Sequence, residues 1–296
     1  MSLSAISRRS TFLTMVLAGS LSAQAMPPPG GPPPYLQIVR EEVKVGRGGA
    51  PHLQAEVGWP RAFGKAKIAN NYLALTTLYG PNEAWFVEGH NSIAEIEAVN
   101  KAIADAPGLS QELDRLTQAD AANITNVRTL LGRFQASMSN PGSVSPPEMR
   151  AWEIIIFRVR PGHEGDFVQA TNLYRSLVEQ TKVEAPWATY QVMAGMPGPA
   201  FLILVPHKTL AEIDPATGVG AAIEKAMTEE TMKKFGTLSE GFLSVENMVF
   251  APSPEMSYLS AEWIAQDAKY WGRKTVSAMK PAGAAGNVAQ AAAPKP

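Results

Sequence analysis

The stretch His90-Asn91-Ser92-Ile93-Ala94-Glu95-Ile96-Glu97 returns as His207-Lys208-Thr209-Leu210-Ala211-Glu212-Ile213-Asp214, a displacement of 207 − 90 = 117. His, Ala, Glu and Ile recur unchanged, and Ser/Thr, Ile/Leu and Glu/Asp exchange at three more places. Upstream, Tyr72-Leu73-Ala74-Leu75 through Gly80-Pro81 is answered by Tyr190-Gln191-Val192-Met193 through Gly198-Pro199, displaced by 190 − 72 = 118. A single-residue deletion in the strand before the histidine reconciles the two displacements. Agreement of spacing and chemistry on this scale signals internal duplication.

Working outward, the second copy has a readable order. Trp152 to Arg160 is rich in Ile, Phe and Val and predicts a strand. Pro161-Gly162 breaks it, and Phe167, Ala170, Leu173, Tyr174 and Leu177 give Glu164 to Glu184 a helical period. Trp187 to Met196 and Ala200 to Val205 are strands joined by a Pro-Gly-Pro turn. Thr209 to Glu212 has a capping-box pattern, Ala221 to Leu238 resumes as helix, and Phe242 to Phe250 closes with a fourth strand. The first copy follows with strand Leu36 to Val45 and helix His52 to Lys67, kinked or short because of Gly58 and Pro60. Strands Tyr72 to Tyr79 and Ala84 to Glu88 come next, then a helical region from Ser92 to about Thr129 and strand Leu131 to Met138. Each copy thus reads β-α-β-β-α-β, the ferredoxin-like order.

A four-stranded sheet with both helices on one face leaves its other face bare, and exposed apolar surface is unfavourable by ~25 cal/mol per Å². Two such sheets face to face hide both. The fold class expected is therefore α+β, with two tandem ferredoxin-like repeats forming an intrachain pseudo-dimeric α/β barrel. Over roughly Tyr35 to Pro252, this arrangement resembles the dimeric α/β-barrel superfamily. That superfamily includes antibiotic-biosynthesis-type monooxygenases, NIPSNAP-like proteins and haem-binding chlorite dismutases. The resemblance rests on element order and duplication, with no family-specific catalytic motif, and implies a pocket inside the barrel rather than a particular chemistry.

The ends differ from the middle. Arg8 and Arg9 precede an apolar run from Phe12 to Leu21, and Ala23-Gln24-Ala25 supplies a small-x-small cleavage pattern. Residues 1–25 therefore read as an export leader too short to span a membrane stably. Ser7-Arg8-Arg9-Ser10-Thr11-Phe12-Leu13 resembles the twin-arginine signal, with its phenylalanine one place late. An ordinary Sec leader explains the same residues. Either route places the protein in the periplasm or outside the cell. Cleavage after Ala25 leaves 296 − 25 = 271 residues and takes the net charge from −1 to −1 − 2 = −3. Residues 26–34, MPPPGGPPP, form a stiff spacer. The first repeat then covers 35–140, a linker 141–148, the second repeat 149–252 and a C-terminal amphipathic helix 253–279. The Ala/Pro tail 280–296 buries too little apolar surface to order itself.

Apolar residues make up 45% and charged residues 18%, enough for a packed core, and a net charge of −1 excludes a polybasic nucleic-acid or anionic-membrane binder. The absence of cysteine excludes disulfides, thiolate metal sites and thiol nucleophiles. There is no P-loop, G-x-S-x-G elbow, HExxH or dinucleotide fingerprint. Gly46-Arg47-Gly48-Gly49 is a flexible turn.

The four histidines come in equivalent pairs: His90 and His207 end third strands, while His52 and His163 lie near the starts of first helices. His90 and His207 are the candidate catalytic residues, as a base or a haem ligand at the barrel mouth. A structural role in the turn explains them more simply, and no metal site is expected because no second ligand has metal-type spacing. Glu164 and Asp166 beside His163 suit the positive end of a helix dipole. Within the first strand of copy two, Trp152, Ile154, Ile156 and Arg158 share one face, and Glu153, Ile155, Phe157 and Val159 the other. Whichever set faces inward puts a charged group beside apolar walls. Trp152, Glu153 and Arg158, with Tyr72 and Tyr190 at matching strand starts, are therefore candidate ligand-binding residues. No cofactor is predicted from the residues; haem enters only through the resemblance. Two functions follow. One is a barrel binding a small, partly apolar organic ligand, with cofactor-free or haem-assisted oxidation as its extension. The other is a non-catalytic envelope protein with a packed barrel, using Trp263, Tyr270 and Trp271 as a partner surface.

Overall fold

The computed structural model describes residues 31–214, 216 and 218–272. The expected leader, most of the spacer, residues 273–279 of the expected C-terminal helix and the tail lie outside these. Eight strands carry the architecture. The first half runs β1 (Tyr35–Val43), α1 (Ala50–Glu56), α2 (Gly58–Ala66), β2 (Tyr72–Tyr79), β3 (Glu83–His90), α3 (Ile93–Asp105), α4 (Leu109–Asp120) and β4 (Ile124–Phe134). The second runs β5 (Ala151–Val159), α5 (Glu164–Thr181), β6 (Ala188–Ala194), β7 (Ala200–His207), α6 (Gly218–Ala226), α7 (Glu229–Ser239) and β8 (Phe242–Pro252), followed by α8 (Ala261–Gln266) and α9 (Ala268–Trp271).

The strands close into one antiparallel barrel in the order β1-β3-β2-β8-β5-β7-β6-β4. Cut at its two seams, β2–β8 and β4–β6, it falls into β4-β1-β3-β2 and β8-β5-β7-β6, which are the same order. Closure leaves no unpaired edge. It also buries the middle of the inward faces of the strands: Leu36, Ile38, Trp85, Leu130, Ile154, Ile156, Leu202 and Phe250 fill the interior. A large apolar side chain taken fully out of water in this way is worth about 1.5–3 kcal/mol. The outer faces pack against helices, with Tyr72, Ala74 and Phe86 meeting Leu53 and Phe63 in the first half. In the second half, Ile203 and Val205 on β7 meet a cluster formed by Leu177, Val178, Trp187 and Ile223.

Strand pairing revises the alignment of the two halves. Leu75 lies opposite Trp85, and Tyr190 lies opposite Leu202. Trp85 and Leu202 are themselves 202 − 85 = 117 apart, so His90 and His207 are equivalent, one opposite Tyr35 and the other opposite Ala151. The partner of Tyr190 is therefore Leu75, at 190 − 75 = 115, and not Tyr72. An odd slip turns a strand over, so Tyr72 packs outward beneath the helices while Tyr190 points into the barrel. The expected deletion is instead two extra residues in the second hairpin, where Tyr190 and Leu202 are 12 apart and Leu75 and Trp85 are 10 apart. In that hairpin Gly195 holds φ +99, and a Cβ there would run into the Thr129 carbonyl. Only glycine fits.

Three expected helices differ. The region Ser92 to Thr129 is two helices, broken at Gly108 with φ +74, and the strand after it begins at Ile124 rather than Leu131. Ala221 to Leu238 is interrupted where Thr228 caps α7 by accepting from the Thr231 N–H. Leu259 to Trp271 is two short helices, because the Asp267 side chain caps a new one. The expected kink in His52 to Lys67 falls at Val57, between α1 and α2. The quoted repeats behave alike at one bond: the Glu95 carboxylate accepts from the Asn91 N–H (2.6 Å), as Glu212 does from Lys208 (2.9 Å). Ser92 caps α3, whereas Thr209 makes no side-chain cap and only a 3-10 turn, Leu210–Ile213, follows.

Candidate ligand-binding site at the barrel mouth

The barrel interior has two unlike ends. At one, Arg40 donates twice to Glu83, at 2.7 Å each, and the Trp85 indole N–H donates to the same carboxylate at 2.7 Å. The Arg40 guanidinium also lies 5.2 Å over the Trp85 ring. Glu83 is almost wholly buried, and three donors offset the loss of its hydration. This end is plugged by polar groups, and the middle is packed. The other end opens into a cavity of about 830 Å³, within the range of small-molecule sites.

Its walls come from the mouths of the strands and from the segments that cross them. Leu36, Leu73, Val87, Trp152, Tyr190 and Leu204 rise from the barrel, and Pro32, Pro33, Val144, Trp187, Leu259 and Trp263 close over them. No Asp, Glu, Lys, Arg or His is among the described lining residues; Asn71, Ser260 and the aromatic N–H and O–H groups are its polar atoms. The indole N–H groups of Trp152 and Trp263 are enclosed and meet no acceptor. The Tyr190 hydroxyl donates to the Pro33 carbonyl at 3.0 Å. Burial pushes that phenol far above its ordinary pKa, so it stays a donor.

The covering segments are tied down. The proline-rich segment joins the barrel through Tyr190 and through the Phe134 N–H, which donates to the Pro34 carbonyl at 2.9 Å. Trp271 is buried and donates to the Pro147 carbonyl at 2.8 Å, while Tyr270 donates to Pro252 at 2.9 Å. Arg150 stacks 3.9 Å over the Tyr270 ring and pairs with Asp267. The aromatic face expected to meet a partner is thus turned inward, and Trp263 lines the cavity.

Of the expected ligand residues, Tyr72, Trp152 and Tyr190 line this cavity, though Tyr72 does so from the outer layer. Arg158 shares the inward face of β5 with Trp152, but near the plugged end, its Nε enclosed without a partner. Glu153 and the two candidate histidines face outward, away from the barrel interior. His90 is enclosed, its Nε2 3.4 Å from the Glu88 carboxylate. Trp187, Trp263, Leu73 and the proline segment were not expected in the site. The apolar residues at strand starts were the available signal for the first and third, but only chain crossings place the others.

His207 belongs to a second cavity of about 830 Å³, between the outer face of β5–β7 and the helices α5, α6 and α7. Phe157, Phe167, Trp187 and Val205 give it apolar walls, and Glu153, Glu184, Glu212 and Asp214 stand around it without a lysine or arginine among the described lining residues. His207 Nε2 lies 3.5 Å from Glu153, whose carboxylate also accepts from Asn247 at 2.7 Å. The neighbouring imidazole, chiefly, and the Asn247 amide hold the Glu153 carboxyl below its ordinary range against the opposing effect of burial. A haem brings two carboxylates, and these surroundings would repel them. The mouth cavity has no histidine to bind iron.

Fold and site together define an eight-stranded antiparallel α/β barrel with an apolar, uncharged mouth cavity. No family model matches the chain, and no curated protein matches it. Among solved structures it is similar to one described as a putative monooxygenase from Lactobacillus acidophilus, at 8% identity over 74% of this chain and 93% of that one, with a TM-score of 0.43. An anthrone oxidase-like protein gives 10%, 74%, 92% and 0.47 in the same order. Chlorite dismutase from Candidatus Nitrospira defluvii gives 10%, 78%, 94% and 0.45. At such values these likenesses assign neither family nor activity.

Proposed function

We propose that this chain is an exported barrel protein, formed by tandem duplication of a ferredoxin-like unit, that binds one small, uncharged, largely apolar organic molecule at the barrel mouth. The observation carrying this reading is a cavity of about 830 Å³ walled by aromatic and aliphatic side chains with no Asp, Glu, His, Lys or Arg among the described lining residues. A charged ligand would lose its hydration there without a partner. A neutral planar molecule with a carbonyl or ether oxygen suits the walls, and its oxygen would accept from Trp152 or Trp263 once an indole rotates. Binding is favoured over catalysis because no wall residue can act as a general base near neutral pH. A monooxygenase-like oxidation here would depend on the acidity of the bound molecule itself.

Export is supported by Arg8, Arg9, the apolar run Phe12 to Leu21 and Ala23-Gln24-Ala25. Among the described residues no helix is long and apolar enough to cross a membrane. Duplication is supported by the repeat that begins at His90 and His207 and by the shared strand order.

Titration with the neutral dye Nile red tests the site. Saturable binding of one dye per chain, lost when Ala188→Trp fills the cavity, is expected. No saturable binding, or binding untouched by that substitution in a folded protein, overturns the reading. Mass spectrometry of cell fractions tests export: a mature chain beginning at Met26 outside the cytoplasm is expected, and full-length chain confined to the cytoplasm overturns it.

A further inference from the structure

A second polar centre lies outside both cavities, beneath the helices of the first half. Glu41 projects from the outer face of β1, His52 and Glu56 stand four residues apart on one face of α1, and Asp120 ends α4. One ligand-type atom from each of the four lies within 4.8 Å of all the others. His52, Glu56 and Asp120 are buried to 3%, 3% and 2% exposure.

Three carboxylates beside an imidazole, so enclosed, require either bound protons or a cation. Among the described residues, the ion pairs of these carboxylates are with His52 alone, at 3.1 Å to Glu41 and 3.8 Å to Asp120. Lys44, three residues beyond Glu41, is turned to the carbonyls of Ala121 and Ala122. One oxygen of Asp120 accepts from Asn123 at 3.1 Å; the other, Oδ2, faces the His52 nitrogen and has no donor at all. Asp120 is also the last residue of its helix, where the dipole favours positive charge.

We propose that Glu41, His52, Glu56 and Asp120 form a binding site for one divalent metal ion, zinc in preference to iron or manganese. Tetrahedral zinc with bonds of about 2.1 Å sets its ligand atoms about 3.4 Å apart, and the two imidazole–carboxylate distances lie on either side of that value. Four enclosed protein ligands leave no position open for a substrate, so the ion would be structural although none of its ligands is a cysteine. An imidazole with three carboxylates suits zinc, iron or manganese, and zinc binds such a set more tightly than manganese. The ion would tie the neighbouring elements β1 and α1 to the end of α4, 120 − 56 = 64 residues beyond Glu56.

The test uses the whole mature protein stripped with EDTA. Addition of zinc sulfate should restore one zinc per chain after gel filtration and raise the melting temperature. Cobalt(II) should give the intense visible absorption of a tetrahedral site. His52→Gln and Asp120→Asn should each lower zinc affinity at least tenfold and abolish the cobalt spectrum. Glu41→Gln, at the more exposed ligand, keeps the test valid if the buried variants fail to fold. A folded, stripped protein that takes up neither zinc, manganese nor cobalt overturns the proposal. So does zinc binding that all three substitutions leave unchanged. Stabilisation of metal-free protein by Glu56→Gln, with no metal bound, would show instead that the carboxylates share a proton.

Discussion

The hydroxyl of Tyr190, deep in the barrel, holds the carbonyl of Pro33 at 3.0 Å. This bond draws the end of the proline-rich segment across the mouth of the cavity, where Gly31, Pro32 and Pro33 become wall. Tyr190→Phe keeps the ring and loses the bond. A stability loss of about 1 kcal/mol is expected in urea unfolding, together with faster proteolysis near residues 31–34. Unchanged proteolysis would mean that the Phe134–Pro34 bond alone secures the segment.

The plug at the opposite end is a different matter, because its charges are buried. Glu83→Ala removes both hydrogen bonds of the Arg40 guanidinium and the acceptor of the Trp85 N–H, leaving Arg40 only Glu246 at 3.8 Å. The expected cost is about 3–5 kcal/mol by chemical denaturation. Replacing both charges, Arg40→Met with Glu83→Leu, should recover most of it, since packed apolar groups do as well as a buried pair. A double variant no more stable than Glu83→Ala would contradict this account.

Glu153 confers a pH dependence whose sign follows from its surroundings. Its carboxyl is held below the ordinary value, first by His207 and then by Asn247. Its contribution is therefore complete above the unfolded-state value, about pH 4.3, and is lost as pH falls through the lower folded-state value. Glu153→Gln should destabilise the protein at pH 7, with the gap to wild type narrowing below about pH 4. A gap that widens on acidification would contradict the assignment.

Hemin provides a direct check on the second cavity. Its acidic surroundings predict no Soret change on titration that depends on His207. A band that His207→Ala removes would show that the cavity accepts a dianionic macrocycle despite Glu153, Glu184, Glu212 and Asp214.

Much of the architecture was legible before the coordinates. Alternation in Trp152 to Val159 defined two faces, and breaks at Pro161-Gly162 and Pro197 to Pro199 bounded elements that exist close to where they were expected. Strand period and turn residues are local properties, carried by neighbours in the chain. The matching of His90 with His207 was legible for a similar reason, since both close a strand before a turn. The matching of Tyr72 with Tyr190 failed because identity of residue says nothing about register. Only the hydrogen-bonded partner, Trp85 or Leu202, decides which face a strand residue takes.

The sites were less legible. His52 and Glu56 share a helical face, a spacing visible in the sequence, but Glu41 and Asp120 join them only through β1 and α4. The mouth cavity likewise draws on Pro33, Trp152, Trp187 and Trp263, four segments with no common motif. By itself the amino-acid order determined the elements, their repetition and the need to bury two bare sheet faces. Which face turned inward, which end stayed open and which acids met beneath α1 were decided by barrel closure. Closure sets register through bonds between strands distant in the chain, and no local pattern encodes those.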